Sequence, residues 1–319
     1  MLKTILAAAA SAVLATGAFA QAYPSQPIKF IVPYTQGTGM DTIARVTGAK
    51  LAARLGQPVV VENRPGASGN IGAAMVAKAP ADGHTLMVSA NTMLMAASTY
   101  RTVPYDVLKD FTPITMAAYG TMALVATTKS GVDSVPALVR QAKANPGRMT
   151  YGSPGVGTPH HLAMELFKDV AGIEVLHVPY KGTAGAVTDL LAGQIDLMFF
   201  PVHTAAPHVK SGKMKALAVG SAKRHPAAPD VPTLKEVGIP NVEVEAWYAF
   251  FGPANLPAPI LQKLNGELRA ILAEPDVRDM LNKSGLDIES STPAELKAIM
   301  ERDFPRWAAV ISKNKITVE

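Results

Sequence analysis

The chain has 319 residues, with 30 Lys and Arg against 25 Asp and Glu for a formal charge of +5, 48% hydrophobic residues and only 17% charged ones. That length suggests two domains, each large enough to bury its own core, and the apolar content excludes a disordered chain. With no cysteine there is no disulfide framework, no Cys-ligated zinc or iron–sulfur centre, no thiol nucleophile and no lipid-modified cysteine.

The first twenty residues read as a targeting segment. Met1-Leu2-Lys3 is a short positive start, Thr4 to Gly17 an apolar stretch, and Ala18-Phe19-Ala20 a small-x-small cleavage pattern, so the mature chain is expected to begin near Gln21. No later stretch reaches the roughly 20 apolar residues of a membrane span. The expectation is an exported, soluble, periplasmic protein. Its mild positive excess contains no Lys/Arg run and suits a small anionic ligand. With 6% aromatic residues and so few of them among the basic ones, a nucleic-acid surface is not expected.

Strands and helices then alternate. Ile28 to Pro33 reads as a buried strand, followed by a loop over Tyr34-Thr35-Gln36-Gly37-Thr38-Gly39 and a helix from about Asp41 to Leu55. Pro58 to Glu62 reads as a strand, Pro65 to Gly69 as a Gly-rich turn, Gly72 to Ala79 as a helix and Thr85 to Ser89 as a strand. A second unit repeats the scheme, with strands at Met122 to Thr127, Met149 to Gly152, Glu174 to Val178 and Ile195 to Phe200, and helices at Val135 to Ala144, His160 to Ala171 and, after a loop over Pro179 to Thr183, on to Leu191. Short apolar runs separated by helical stretches imply α/β architecture, a doubly wound and mostly parallel sheet in each unit. The C-terminal third reads as mostly helical. Ile260, Leu261, Leu264, Leu268, Ile271 and Leu272 recur at helical spacing, and Thr292-Pro293-Ala294-Glu295 is a capping box opening a last helix toward Ile311.

The loops carry the chemistry. Gly37 and Gly39 stand between a strand and a helix, as do Gly152, Gly155 and Gly157 in the second unit. At such junctions the first amides of the helix have no partner and the dipole is positive, which favours an anion. Glycine lets the backbone approach it closely, and Thr38, Ser153 and Thr158 can add hydroxyls. Glycines at these turns also serve positive φ alone; two such loops facing each other favour a shared anion cleft.

Enzyme motifs fail when checked. Ser153 lacks the first glycine of a nucleophile elbow, Gly155-x-Gly157 continues to His160 where a dinucleotide fingerprint needs glycine, and neither a P-loop nor HExxH occurs. His160 and His161 are adjacent and so lie on different helix faces, while His177, His203 and His208 sit in separate segments; caps, supporting positions or surface sites are the reading, not a metal centre. Asp41 and Glu165 read as helix-terminus and solvated carboxylates. No catalytic residue, metal or cofactor is expected.

The sequence resembles the periplasmic receptors of tripartite tricarboxylate transporters, the Bug family, over essentially all of the mature chain. The matching stretches include Tyr23-Pro24-Ser25-Gln26-Pro27-Ile28, Val32-Pro33-Tyr34, Val60-Val61-Glu62-Asn63-Arg64-Pro65-Gly66, Asp82-Gly83-His84-Thr85-Leu86, Tyr151-Gly152-Ser153, Gly157-Thr158 with His161-Leu162, and Val178-Pro179-Tyr180-Lys181-Gly182. Further on they are Leu217-Ala218-Val219, Val231-Pro232-Thr233 and Trp247 ahead of Pro253. The resemblance implies a two-lobed type II periplasmic-binding-protein fold that closes on a small carboxylate and hands it to membrane transporter subunits, acting as a monomer. It implies lobe one from 21–119 and 224–319, lobe two from 120–223, and crossings near Gly120 and Gly220 to Arg224.

It further implies ligand contacts from Tyr34, Gln36, Gly37, Thr38, Gly39 and Asp41 in the first loop and from Ser153, Gly157, Thr158 and His161 in the second, with Ser89, Asn91, Lys181 and Phe199 added from strand ends and the rim. Gln36 and Thr38 depart from the usual pattern, where Pro or Ala and a second Gly are common. Tyr34 is either a lid or a partly buried aromatic, Lys181 either a carboxylate partner or a rim lysine, and Trp247 packs near the hinge. Two rivals are weighed beside this reading: a sensory partner presenting its ligand to a membrane kinase, and a periplasmic hydrolase using Ser153 or His161.

Overall fold

The computed structural model describes residues 23–180, 183–284 and 286–317. The targeting segment and Lys181 therefore lie outside the described residues. The first half opens with β1 (Ile28–Val32), α1 (Gly39–Leu55), β2 (Val59–Asn63), α2 (Asn70–Ala77), β3 (Thr85–Ala90) and α3 (Thr92–Thr99). A 17-residue strand follows, β4 (Phe111–Thr127). Next come α4 (Val135–Ala144), β5 (Thr150–Ser153), α5 (Pro159–Ala171), β6 (Leu176–Pro179), α6 (Thr183–Ala192), β7 (Leu197–Pro201), α7 (Val202–Lys210) and β8 (Met214–Val219). The chain ends with β9 (Glu245–Pro253), α8 (Ala258–Ala273), α9 (Pro275–Lys283), β10 (Asp287–Ile288) and α10 (Pro293–Lys313).

β4 belongs to both halves. Its first part pairs antiparallel with β9 as far as Thr121, in the sheet ordered β2-β1-β3-β9-β4. From Met122 its partners are β7 on one side and β8 on the other, and β7 leads on to β5 and β6. The βα units are parallel, as expected (β1 with β2 and β3, β5 with β6 and β7). The strands shared between the halves run antiparallel to them, so each sheet is mixed. The structure adds β9 to the expected elements: Glu245 to Pro253 is an apolar run too short to distinguish strand from helix by period alone.

The cores explain the helix faces. Leu264, Leu268, Ile271 and Leu272 on α8 are fully buried with Phe30, Ile43 and Phe250 on one face of the first sheet. Burial of each such side chain contributes roughly 1.5–3 kcal/mol. The capping box of α10 is present: the Glu295 amide donates to the Thr292 hydroxyl (3.2 Å), and the Thr292 amide to the Glu295 carboxylate (2.8 Å). That helix serves two cores. Leu296 and Met300 pack with the first half, whereas Trp307, Val310 and Ile311 pack with Leu124, Phe167 and Phe199 of the second. Pro305 lies inside the helix between these two sets. Leu234, Ile239, Val242 and Val244 also share the second core. Packing thus changes hands between Val244 and the start of β9, about twenty residues beyond the expected 223/224 boundary, because 224–244 leans on β8 rather than on the first sheet.

Candidate functional site

Two connected chambers lie between the halves, of about 560 Å³ and 270 Å³. Five helices start at the inner chamber: α1 at Thr38 and Gly39, α3 at Asn91 and Thr92, α5 at Pro159 and His160, α6 at Thr183, and α7 at Pro201 and Thr204. Thr38, Thr92, Pro159, His160 and Thr183 line both chambers and so mark the passage between them. Among the described residues no Lys, Arg, Asp or Glu lines either chamber. Positive potential there comes from helix dipoles and first-turn amides, each favouring a nearby anion by roughly 0.3–1 kcal/mol. Three buried polar atoms in the lining residues have no partner: Asn91 Oδ1, Thr92 Oγ1 and His160 Nδ1. Burial lowers the His160 pKa to about 4, so its ring is neutral and one nitrogen carries a proton to donate.

The two loops prove to be copies of one device. In the first, the Gly37 amide donates to Asp41 Oδ2 (3.0 Å); in the second, the Gly157 amide donates to His161 Nδ1 (3.1 Å). Each acceptor lies four residues on, inside the first helical turn, and Thr38 and Thr158 are the N-caps. Both glycines have positive φ, +80° and +74°. The shared pattern is Gly-Thr-x-x followed by a side-chain acceptor, with Met40 and His160 in corresponding positions facing the cleft.

This corrects several expected contacts. Asp41 is buried and faces inward: it pairs with Arg45 (2.9 Å) and accepts from the Asn63 amide (3.0 Å) as well as from Gly37. Burial opposes its ionisation, but these donors outweigh burial and lower its pKa. Ser153 is wholly buried and spends its hydroxyl within its own half, 2.7 Å from His177 Nε2 and 3.0 Å from the Gly155 carbonyl. A Ser–His contact of that kind serves nucleophiles, yet Ser153 lines neither chamber and meets no substrate path. His161 is buried, stacked 4.0 Å from the His177 ring, which in turn stacks on Tyr151. Glu165 of the same cluster is buried, not solvated, and holds Lys168 (2.7 Å) and the Tyr151 hydroxyl. Phe199 points into the second core against Phe167. Its neighbour Phe200 takes the chamber side, as strand alternation requires. Gln36 is exposed outside the chambers, and Ser89 is buried on β3 with an unpartnered hydroxyl behind them.

Tyr34, Gly37, Thr38, Gly39, Asn91, Gly157 and Thr158 do line the cleft. Thr92, Tyr100, His160, Thr183, Thr204 and Tyr248 join them unforeseen. Apart from the two tyrosines, all are first-turn residues of helices, the one signal that could have found them. Trp247 stays out of the cleft: it is buried beside the crossing, its indole donating to Asp303 (2.9 Å). A separate cavity of about 300 Å³ behind α7, lined by Ala123, Val202, Ala205, Val209 and Val231, has no unpartnered buried polar atom among the described residues.

Two substitutions separate wall from scaffold. Tyr34 is half-buried, its hydroxyl donating to the Ser68 carbonyl (2.8 Å), so Tyr34→Ala is expected to weaken ligand binding by roughly 1–3 kcal/mol. Calorimetry and thermal melting are the measurement; lost stability with intact affinity makes Tyr34 a core residue. Asp41→Ala is expected to act on folding instead, by about 2 kcal/mol, because it strands the Gly37 and Asn63 donors. Denaturant titration reads it, and an unchanged midpoint removes the scaffold role.

Residues 43–316 match the family model described as "Tripartite tricarboxylate transporter family receptor". The chain is 35% identical to Protein BugT of Bordetella pertussis, covering 95% of this chain and 93% of that one. Among solved structures, it is similar to R. palustris Rpa4515 with adipate (34% identity, TM-score 0.79, 91% and 97% of the two chains). It is also similar to MatC from Rhodopseudomonas palustris with bound malate (30%, 0.76, 91% and 100%). No helix among the described residues is long and apolar enough to cross a membrane.

Proposed function

Because this chain belongs to the tripartite tricarboxylate transporter receptor family and is a solute-binding receptor of the Bug type, we propose that it captures a small carboxylate in the cleft and delivers it to membrane transporter subunits. One observation carries the reading: five helix starts, the unpartnered Thr92 hydroxyl and the neutral His160 ring converge on a cleft lined by no charged side chain among the described residues. That suits an anion held by amides and hydroxyls rather than by an ion pair. Residues 1–20 serve as the export signal. Capture proceeds by rotation of the two halves about Thr121–Met122, Val244–Glu245 and Pro305, where the packing changes hands. The likeness to proteins solved with adipate and malate supports a carboxylate ligand.

The experiment is a calorimetric screen of carboxylates with scattering on the best binder. Hydrogen bonds to a charged acceptor contribute roughly 1.5–3 kcal/mol each, so the methyl ester of the anchoring carboxylate should bind at least about 2 kcal/mol more weakly. The radius of gyration should fall on saturation. An ester that binds as well as its acid, or a radius that does not change, overturns the anion clamp.

A further inference from the structure

We infer that the ligand is an aromatic carboxylate, its carboxylate at the helix starts and its ring in the outer chamber against Tyr34 and Tyr100. This rests on the carboxylate reading above and adds the rest of the molecule. The outer chamber, about 270 Å³, is walled by these two rings and by Ala96, Pro154, Val156 and Pro159. An apolar cavity of about 150 Å³ already holds benzene, so the space admits a ring with a substituent.

Most polar groups of that chamber away from the passage are already engaged. Tyr34 donates to the Ser68 carbonyl (2.8 Å), and the Tyr100 hydroxyl lies 3.2 Å from Ser68 Oγ. Thr38 donates to the Thr35 carbonyl (3.1 Å), Thr99 to Met95 (2.8 Å) and Thr158 to Gly155 (2.7 Å). Tyr34 therefore presents its ring to an occupant, and the Ser68–Tyr100 pair keeps one hydroxyl proton between its two oxygens. The unpartnered atoms, Thr92 Oγ1 and His160 Nδ1, belong to residues of the passage between the chambers. One end of the cleft thus receives charge and the other offers apolar and π surface. A flexible dicarboxylate reaching into the outer chamber would find at most the one free proton of the Ser68–Tyr100 pair for its second charge, whereas a ring there meets two aromatic partners.

The test is calorimetry on the purified protein with benzoate, 4-methylbenzoate, adipate and malate. The aromatic acids are expected to bind at least tenfold more tightly than either aliphatic one. Tyr100→Ala is expected to collapse that ratio, and Tyr100→Phe, which keeps the ring, to retain it, both with folding checked by thermal melting. If adipate or malate binds as tightly as the aromatic acids, or if the ratio survives Tyr100→Ala, the inference is overturned while the carboxylate reading stands. If none of the four binds, that reading falls and this inference with it.

Discussion

Valine at position 157 is expected to weaken carboxylate binding at least about thirtyfold, roughly 2 kcal/mol, while the protein remains folded. Gly157 sits at φ +74°, and a Cβ there would lie 3.1 Å from Cγ2 of Thr99, which belongs to the opposite half. A branched side chain at this point opposes the left-handed backbone and also wedges the halves apart where the loop passes α3. Both effects strike the bound form. Gly172→Val is the control: its φ of +61° carries the same strain, but the space around its Cβ is open. Calorimetry on both variants decides the matter. If Gly157→Val binds as tightly as the parent, the second loop is no part of the site.

Mild acid is expected to destabilise the fold well before its carboxylates titrate. Burial lowers the pKa of His161 to about 3 and those of His177 and His160 to about 4. An unfolded histidine titrates near 6.5. Between those values the unfolded chain binds more protons than the folded one, so stability is complete above about pH 6.5 and declines as pH falls toward 4. The stacked pair sharpens the decline, since the His161 and His177 ring centroids are 4.0 Å apart and a charge on one opposes charge on the other. Glu245 acts in the opposite sense, because burial raises its pKa and protonation there favours the fold, but it is one group against three. The net loss between pH 7.5 and pH 5 should be on the order of 4 kcal/mol, a large part of the stability of an ordinary domain. Urea midpoints at the two pH values measure it, and His177→Gln should flatten the difference. Superimposable curves would refute the neutral-histidine account.

The two Gly-Thr loops were legible in the chain because strand-to-helix junctions announce themselves locally: a short apolar run, a glycine for positive φ, a hydroxyl for the cap. What those loops touch was not legible. Asp41 and His161 look like ligand contacts when read in line, yet each turns inward to hold its own glycine amide, a bond that only the folded first turn creates. Asp41 also depends on Asn63, 22 residues away in sequence at the end of β2. Phe199 was misassigned by a single residue, which in a strand reverses the face. β9 was missed because it is buried between β3 and β4 and so shows no polar alternation. His160 was discounted because adjacent histidines cannot share a helix face, although that same argument sends one inward and leaves the other for the cleft.

The last helix also bears on how the molecule is made. Trp307, Val310, Ile311 and Ile316 complete a core whose other members lie between Met95 and Val244. A chain emerging from its N-terminus therefore displays an unfinished apolar surface for nearly two hundred residues, until its final turns arrive to cover it. Contacts so distant in sequence form slowly, because a long loop must close first. Such a protein stays extensible until it is almost wholly synthesised, the condition in which a polypeptide threads through a narrow channel most readily. If residues 1–20 direct export as proposed, swift folding would be a handicap to a chain that must cross a membrane first.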